Sequence, residues 1–133
     1  SPETGLDISM MEEVLKQTPI PHLLDSMAVR LKGEAADGET LTVKIVFSDL
    51  NESYILSIKN CVLHHAKAKK TDIIPDATIR ITHDLFIKMS IGKAGIKDTI
   101  LSDDLRIEGS KLDLIRFFLL FEKPKGIFNI VTP

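Results

Sequence analysis

Leu41-Thr42-Val43-Lys44-Ile45-Val46-Phe47-Ser48 alternates with a period of two. Leu41, Val43, Ile45 and Phe47 take one side, and Thr42, Lys44 and Ser48 fall on the other. A period of two places successive side chains on opposite faces of an extended chain, so this stretch reads as a half-buried strand. The same pattern continues downstream. Residues 49–52 supply a turn, and Tyr54, Leu56 and Ile58 form the inward side of a second strand. Asn60-Cys61 stands where a tight hairpin turn belongs, although glycine would suit its second position better. Residues 62–68 give a third strand. The three together predict an antiparallel meander with one face in solvent.

On the N-terminal side, residues 1–8 read as a linker or tag remnant. Ser9-Met10-Met11-Glu12 has the form of a capping box and predicts a short helix ended by Thr18-Pro19. Pro21 suits the first turn of a second helix, with Leu23, Leu24, Met27 and Leu31 on one side and Gly33 closing it. On the C-terminal side, residues 72–76 form a loop containing Pro75. Ala77, Ile79 and Ile81 alternate as a fourth strand. Thr82 caps a helix carrying Leu85, Phe86 and Met89 that stops near Gly92. A short helix or turn follows around 96–101, and Leu105 and Ile107 mark a brief fifth strand. Ser110-Lys111-Leu112-Asp113 is a second capping box and opens a last helix. The order predicts an α+β domain over residues 9–133: a five-stranded sheet covered by helices on one face.

That last helix is unusually apolar. Residues 114–121 read Leu-Ile-Arg-Phe-Phe-Leu-Leu-Phe, and four of the six phenylalanines fall in the final seventeen residues. Phe128, Ile130 and Val131 extend the run. A surface helix keeps one polar face; this one must be buried on several sides, line a cavity or dock on a partner. Completion of the core is the plain alternative. Aromatics bury large areas and methionine adapts to irregular apolar surfaces. Met27, Phe86, Met89, Ile100, Phe117, Phe118 and Phe121 are therefore the candidate lining of a shared apolar space.

Polar chemistry is sparse. The 133 residues include 17 basic and 19 acidic side chains, a formal charge of −2, so no basic face recommends a nucleic-acid partner. The dense basic stretch at 67–70 lacks aromatic neighbours for base stacking. His22, His64, His65 and His83 are scattered, and His64 and His65 point to opposite faces of a strand. Asp72, Asp76, Asp103 and Asp104 fit turn chemistry. Cys61 is the sole cysteine, which excludes a disulfide framework. There is no nucleophile elbow and no glycine-rich phosphate loop. No catalytic residue and no metal ligand is assigned. No apolar run reaches the ~20 residues of a membrane span, and none resembles a secretion signal ahead of the first helix. The chain starts Ser1-Pro2-Glu3, which leaves a processed chain or a piece of something longer open, and bacterial cytoplasm and periplasm are both open as its location.

Several segments resemble a known family. Leu23-Leu24-Asp25-Ser26-Met27-Ala28-Val29-Arg30-Leu31-Lys32-Gly33 resembles the second-helix signature in the C-terminal domain of bacterial alkyl sulfatases. The strand from Leu41 to Asp49 looks like that domain's first strand. Asn60-Cys61-Val62-Leu63-His64 resembles its Asn-Gly-Val-Leu-Asn turn, with Cys61 in place of glycine and His64 in place of asparagine. The strand at 77–82 and the ending Phe128-Asn129-Ile130-Val131-Thr132-Pro133 complete the likeness. The resemblance implies a sterol-carrier-protein-2-like fold with an apolar tunnel. It also implies an upstream metallo-β-lactamase-like domain with two zinc ions, which hydrolyses alkyl sulfate esters to alcohol and sulfate. The His-x-His-x-Asp-His metal run of that domain has no counterpart here. The implied ligands are a long-chain alkyl sulfate, a fatty acid or another amphiphile, with no cofactor in this chain. A stand-alone carrier of fatty acids, acyl-coenzyme A or sterols is the first rival reading. An interaction or dimerisation module is the second.

Overall fold

The computed structural model describes residues 2–122. Phe128, Ile130 and Val131 lie outside them. The elements are α1 (Pro2–Gln17), α2 (Ile20–Val29), α3 (Gly33–Ala36), β1 (Leu41–Phe47), β2 (Glu52–Lys59), β3 (Val62–Lys67), β4 (Ala77–Ile81), α4 (His83–Ser90), α5 (Ile96–Ile100), β5 (Leu105–Gly109) and α6 (Lys111–Leu119). The fold is α+β, with one five-stranded mixed sheet in the order β3-β2-β1-β4-β5. None of the described helices is long and apolar enough to cross a membrane.

The alternation in β1 sets the layers. Val43, Ile45 and Phe47 are fully buried, while Thr42, Lys44 and Val46 between them are half-buried. β1 pairs antiparallel with β2, Val43 facing Leu56 and Ile45 facing Tyr54, and β2 pairs antiparallel with β3. The expected meander is therefore present. Its other neighbour is less local: β1 pairs parallel with β4, Ile45 beside Ile79. Helices pack on the buried face, α2 against β3 and α6 against β1 and β4. Phe47 centres the core, with Phe86 edge-on at 5.1 Å and Tyr54 at 6.2 Å.

Local chemistry explains most boundaries. Thr82 caps α4 by accepting from the Leu85 N–H, and Ser110 caps α6 by accepting from the Asp113 N–H. Asp76 turns the chain into β4: its Oδ2 accepts from the Thr42 N–H at 2.8 Å. Asp72 does likewise for the Lys69 N–H at 2.6 Å. Gly109 has φ +85°, and a Cβ there would stand 2.7 Å from the Asp76 carbonyl oxygen, so only glycine fits.

Three expectations need correction. The first helix begins at Pro2, not at Ser9, so most of the supposed linker is helical. Proline suits a first helical turn, and the capping-box pattern at Ser9 falls on an exposed position inside the helix. The second helix stops at Val29, ahead of Gly33, which instead opens the one-turn α3. The last helix stops at Leu119. Phe121 leaves it to form an antiparallel bridge with Leu31. Phe118 and Phe121 thus do not share a helix face.

Ion pairs connect α1 with α4 and with the turn that follows α4. Glu12 pairs with Lys93 and Lys16, and Asp84 with Lys88 and Lys16. The hydrogen bond from Lys93 holds the Glu12 carboxyl below its usual pKa, and that from Lys88 does the same for Asp84.

The β2–β3 hairpin turns on two residues, with Lys59 opposite Val62. Asn60 has φ +52° and Cys61 φ +62°, the two left-handed positions of a type I′ turn. Asparagine tolerates that region; cysteine is strained in it. Cys61→Gly is expected to stabilise the domain by roughly 0.5–1 kcal/mol, the relief of strain less glycine's extra chain entropy. A higher urea midpoint at unchanged slope is the expected reading, and a lower midpoint would count against it.

Candidate functional site

The C-cap of α2, the C-terminal half of α4, the start of α5 and the end of α6 surround a partly open recess of about 790 Å³. This is within the ~300–1,000 Å³ range of small-molecule sites. α2 contributes Met27 and, just past its end, Arg30. α4 contributes Phe86, Met89 and Ser90, and the chain around α6 contributes Phe118, Leu119 and Phe121. Met27 and Phe86 are almost wholly buried and show only an edge to the space. Met89, Phe118 and Phe121 are half-buried and form its apolar surface.

The aromatic run divides its labour. Phe117 is fully buried and belongs to the core. Its ring lies edge-on to Phe118 at 5.3 Å and tilted against Phe121, also at 5.3 Å. The recess wall is thus seated on a core aromatic. Of the seven candidate residues, Met27, Phe86, Met89, Phe118 and Phe121 border the recess and Phe117 lies behind it. Ile100 faces a separate gap of about 10 Å³ beside Met89, Leu114 and Phe118. That gap is at the lower limit for one water. The described residues outline a recess and not the tunnel that the resemblance implied.

Two backbone hydrogen bonds fix the wall. The Lys32 N–H donates to the Leu120 carbonyl at 2.8 Å, and the Glu122 N–H donates to the Arg30 carbonyl at 2.7 Å. The Lys32 ammonium also donates to the Leu119 carbonyl at 3.3 Å, a favourable place for a cation at the end of α6. The rim carries Arg30, Lys32 and Lys97 against Asp98 and Glu122. Arg30 is half-buried, and its burial pushes the guanidinium pKa down. None of these rim charges was singled out from sequence. One signal was available: Arg30 follows Leu23 by seven residues and Met27 by three, and so interrupts an apolar helix face.

The histidines stay apart. His65 on β3 meets Asp25 of α2 at 2.6 Å. His83 begins α4 with its ring edge-on to Phe47. Among the described residues no three His, Cys, Asp or Glu side chains are grouped to hold a metal ion. The arrangement offers an apolar surface with a charged rim, and neither zinc ligands nor a nucleophile paired with a base.

A sequence profile described as Alkyl sulfatase C-terminal matches residues 9–133. The chain belongs to that family. As an alkyl sulfatase C-terminal domain it is 30% identical, over 121 residues, to a linear primary-alkylsulfatase of Pseudomonas sp. The match covers 91% of this chain and 18% of that protein. The domain therefore spans under a fifth of the curated relative. The solved structure of the stereoselective inverting sec-alkylsulfatase Pisa1 from Pseudomonas sp. superposes with a TM-score of 0.75 at 23% identity. It covers 82% of the domain and 17% of that chain, and it establishes a shared fold. The ubiquinone synthesis protein UbiJ-SCP2 matches 88% of the domain and 86% of its own chain at 18% identity, with a TM-score of 0.49.

Proposed function

We propose that this domain binds the alkyl tail of an amphiphile as the non-catalytic C-terminal part of an alkyl sulfatase. In that setting it receives the tail of a long-chain sulfate ester and presents the ester to an upstream domain that carries two zinc ions. The observation that carries the reading is the recess itself, in which Met89, Phe118 and Phe121 turn half-buried apolar surface toward one space. Family membership supports it, because the Pseudomonas relative is named for alkyl sulfate hydrolysis. Burying methylenes contributes about 0.8 kcal/mol each before the costs of binding, so a decyl or dodecyl tail reaches micromolar affinity.

The test is titration of the 133-residue chain with decyl and dodecyl amphiphiles below their micellar limits, followed by calorimetry and sedimentation. A monomer that binds them with affinity rising with tail length is expected. A monomer that ignores every tail would refute the reading. A dimer indifferent to amphiphiles would favour the interaction module instead.

A further inference from the structure

The Arg30 guanidinium rests on backbone carbonyls. Its Nε donates to the Ser26 carbonyl and its Nη1 to the Ser90 carbonyl, both at 3.4 Å. Both are long for N–H···O bonds, which centre near 2.9–3.0 Å. Among residues 8–122 no carboxylate lies within 4.0 Å of it, and the same holds for Lys32 and Lys97 on the rim. Asp98 and Glu122 share that rim without pairing to these cations. Arg30 and Ser90 also border a second cavity of about 150 Å³, lined by Met11, Leu15, Leu23, Ile87 and Ile91. The guanidinium therefore stands where two mainly apolar spaces meet, half out of water.

A planar guanidinium with unused N–H donors is suited to an oxyanion, which it holds through paired charge-assisted hydrogen bonds. We infer that Arg30 anchors the anionic head group of a single-chain amphiphile whose tail fills the recess, so that the domain prefers the sulfate ester to the alcohol left by its hydrolysis. This rests on the alkyl-binding reading above. Loss of the sulfate removes the charge that Arg30 holds, and the neutral product departs with its tail contacts alone. Sulfate and carboxylate heads share the required chemistry, and separate ligands tell them apart.

The experiment measures binding of decyl sulfate, decanoate and 1-decanol to the 133-residue chain and to Arg30→Gln, Arg30→Lys and Lys59→Gln. Lys59 is exposed at the end of β2 and serves as a charge control. In the unaltered chain decyl sulfate is expected to bind about tenfold tighter than 1-decanol, a typical effect of one charged hydrogen-bonded contact. Arg30→Gln abolishes that preference, and a single cooperative urea transition shows that the variant is folded. Arg30→Lys restores part of it, and Lys59→Gln retains all of it. Decanoate matching decyl sulfate assigns a general oxyanion site; decanoate matching the alcohol assigns a sulfate-selective one. Equal binding of sulfate and alcohol to the unaltered chain, or a preference that survives Arg30→Gln, overturns the Arg30 assignment while the tail reading stands. Failure of all three ligands to bind overturns the tail reading and this inference with it.

Discussion

Phe117→Ala is expected to destabilise the domain by about 3–5 kcal/mol, and Phe118→Ala, one residue further, by only about 1. The difference follows from burial. Phe117 is fully enclosed between the sheet and its aromatic neighbours, and its loss opens a cavity that the core cannot refill. Phe118 faces the recess, where the space it leaves joins one that already exists. A domain of this size has roughly 5–15 kcal/mol in hand, so the first change consumes much of it. Urea unfolding of both variants reads the difference directly. Ligand binding should split the other way, with Phe118→Ala weakening decyl sulfate while remaining folded. Similar destabilisation by the two variants would show that core and recess wall are not separated as described.

Met89→Trp should weaken binding of a dodecyl tail by about tenfold and leave an octyl tail nearly unaffected. Met89 is half-buried and faces both the large recess and the small gap beside Ile100. A larger, rigid side chain there takes up space that only a long tail needs. Excluding two methylenes forfeits about 1.6 kcal/mol, which is the tenfold change. The comparison of chain lengths guards against a general fault in the variant. Equal losses for both tails would point to damage at the rim, and no loss for either would place the tail elsewhere.

The sheet was legible in sequence because burial on one face imposes a period of two. Every inward residue named in β1, β2 and β4 is buried. Caps at Thr82 and Ser110 were legible because a side-chain oxygen and an N–H three residues on form a local motif. The parallel pairing of β1 with β4 was not, since it joins segments separated by two strands and a loop. Neither was the end of α6. Leu119-Leu120-Phe121 continues an apolar run that helix periodicity alone would extend, and a distant partner, Leu31, draws Phe121 away. Apolar size and position brought five of seven candidates to one recess. They said nothing of Arg30, because a charge on an apolar helix face gains meaning only when its neighbours are known.

The bridge between Leu31 and Phe121 makes the recess a joint property of the chain after α2 and the chain after α6. α2 closes into residues 30–32, and the same residues hold the strand of chain that follows α6. A tail resting on Phe118 and Phe121 must favour the state in which those two backbone bonds are made. By thermodynamic reciprocity, whatever steadies the end of α2 raises affinity in the recess, and whatever fills the recess steadies α2 by the same free energy. A ligand in the recess would thereby be felt along α2 through a pair of amides.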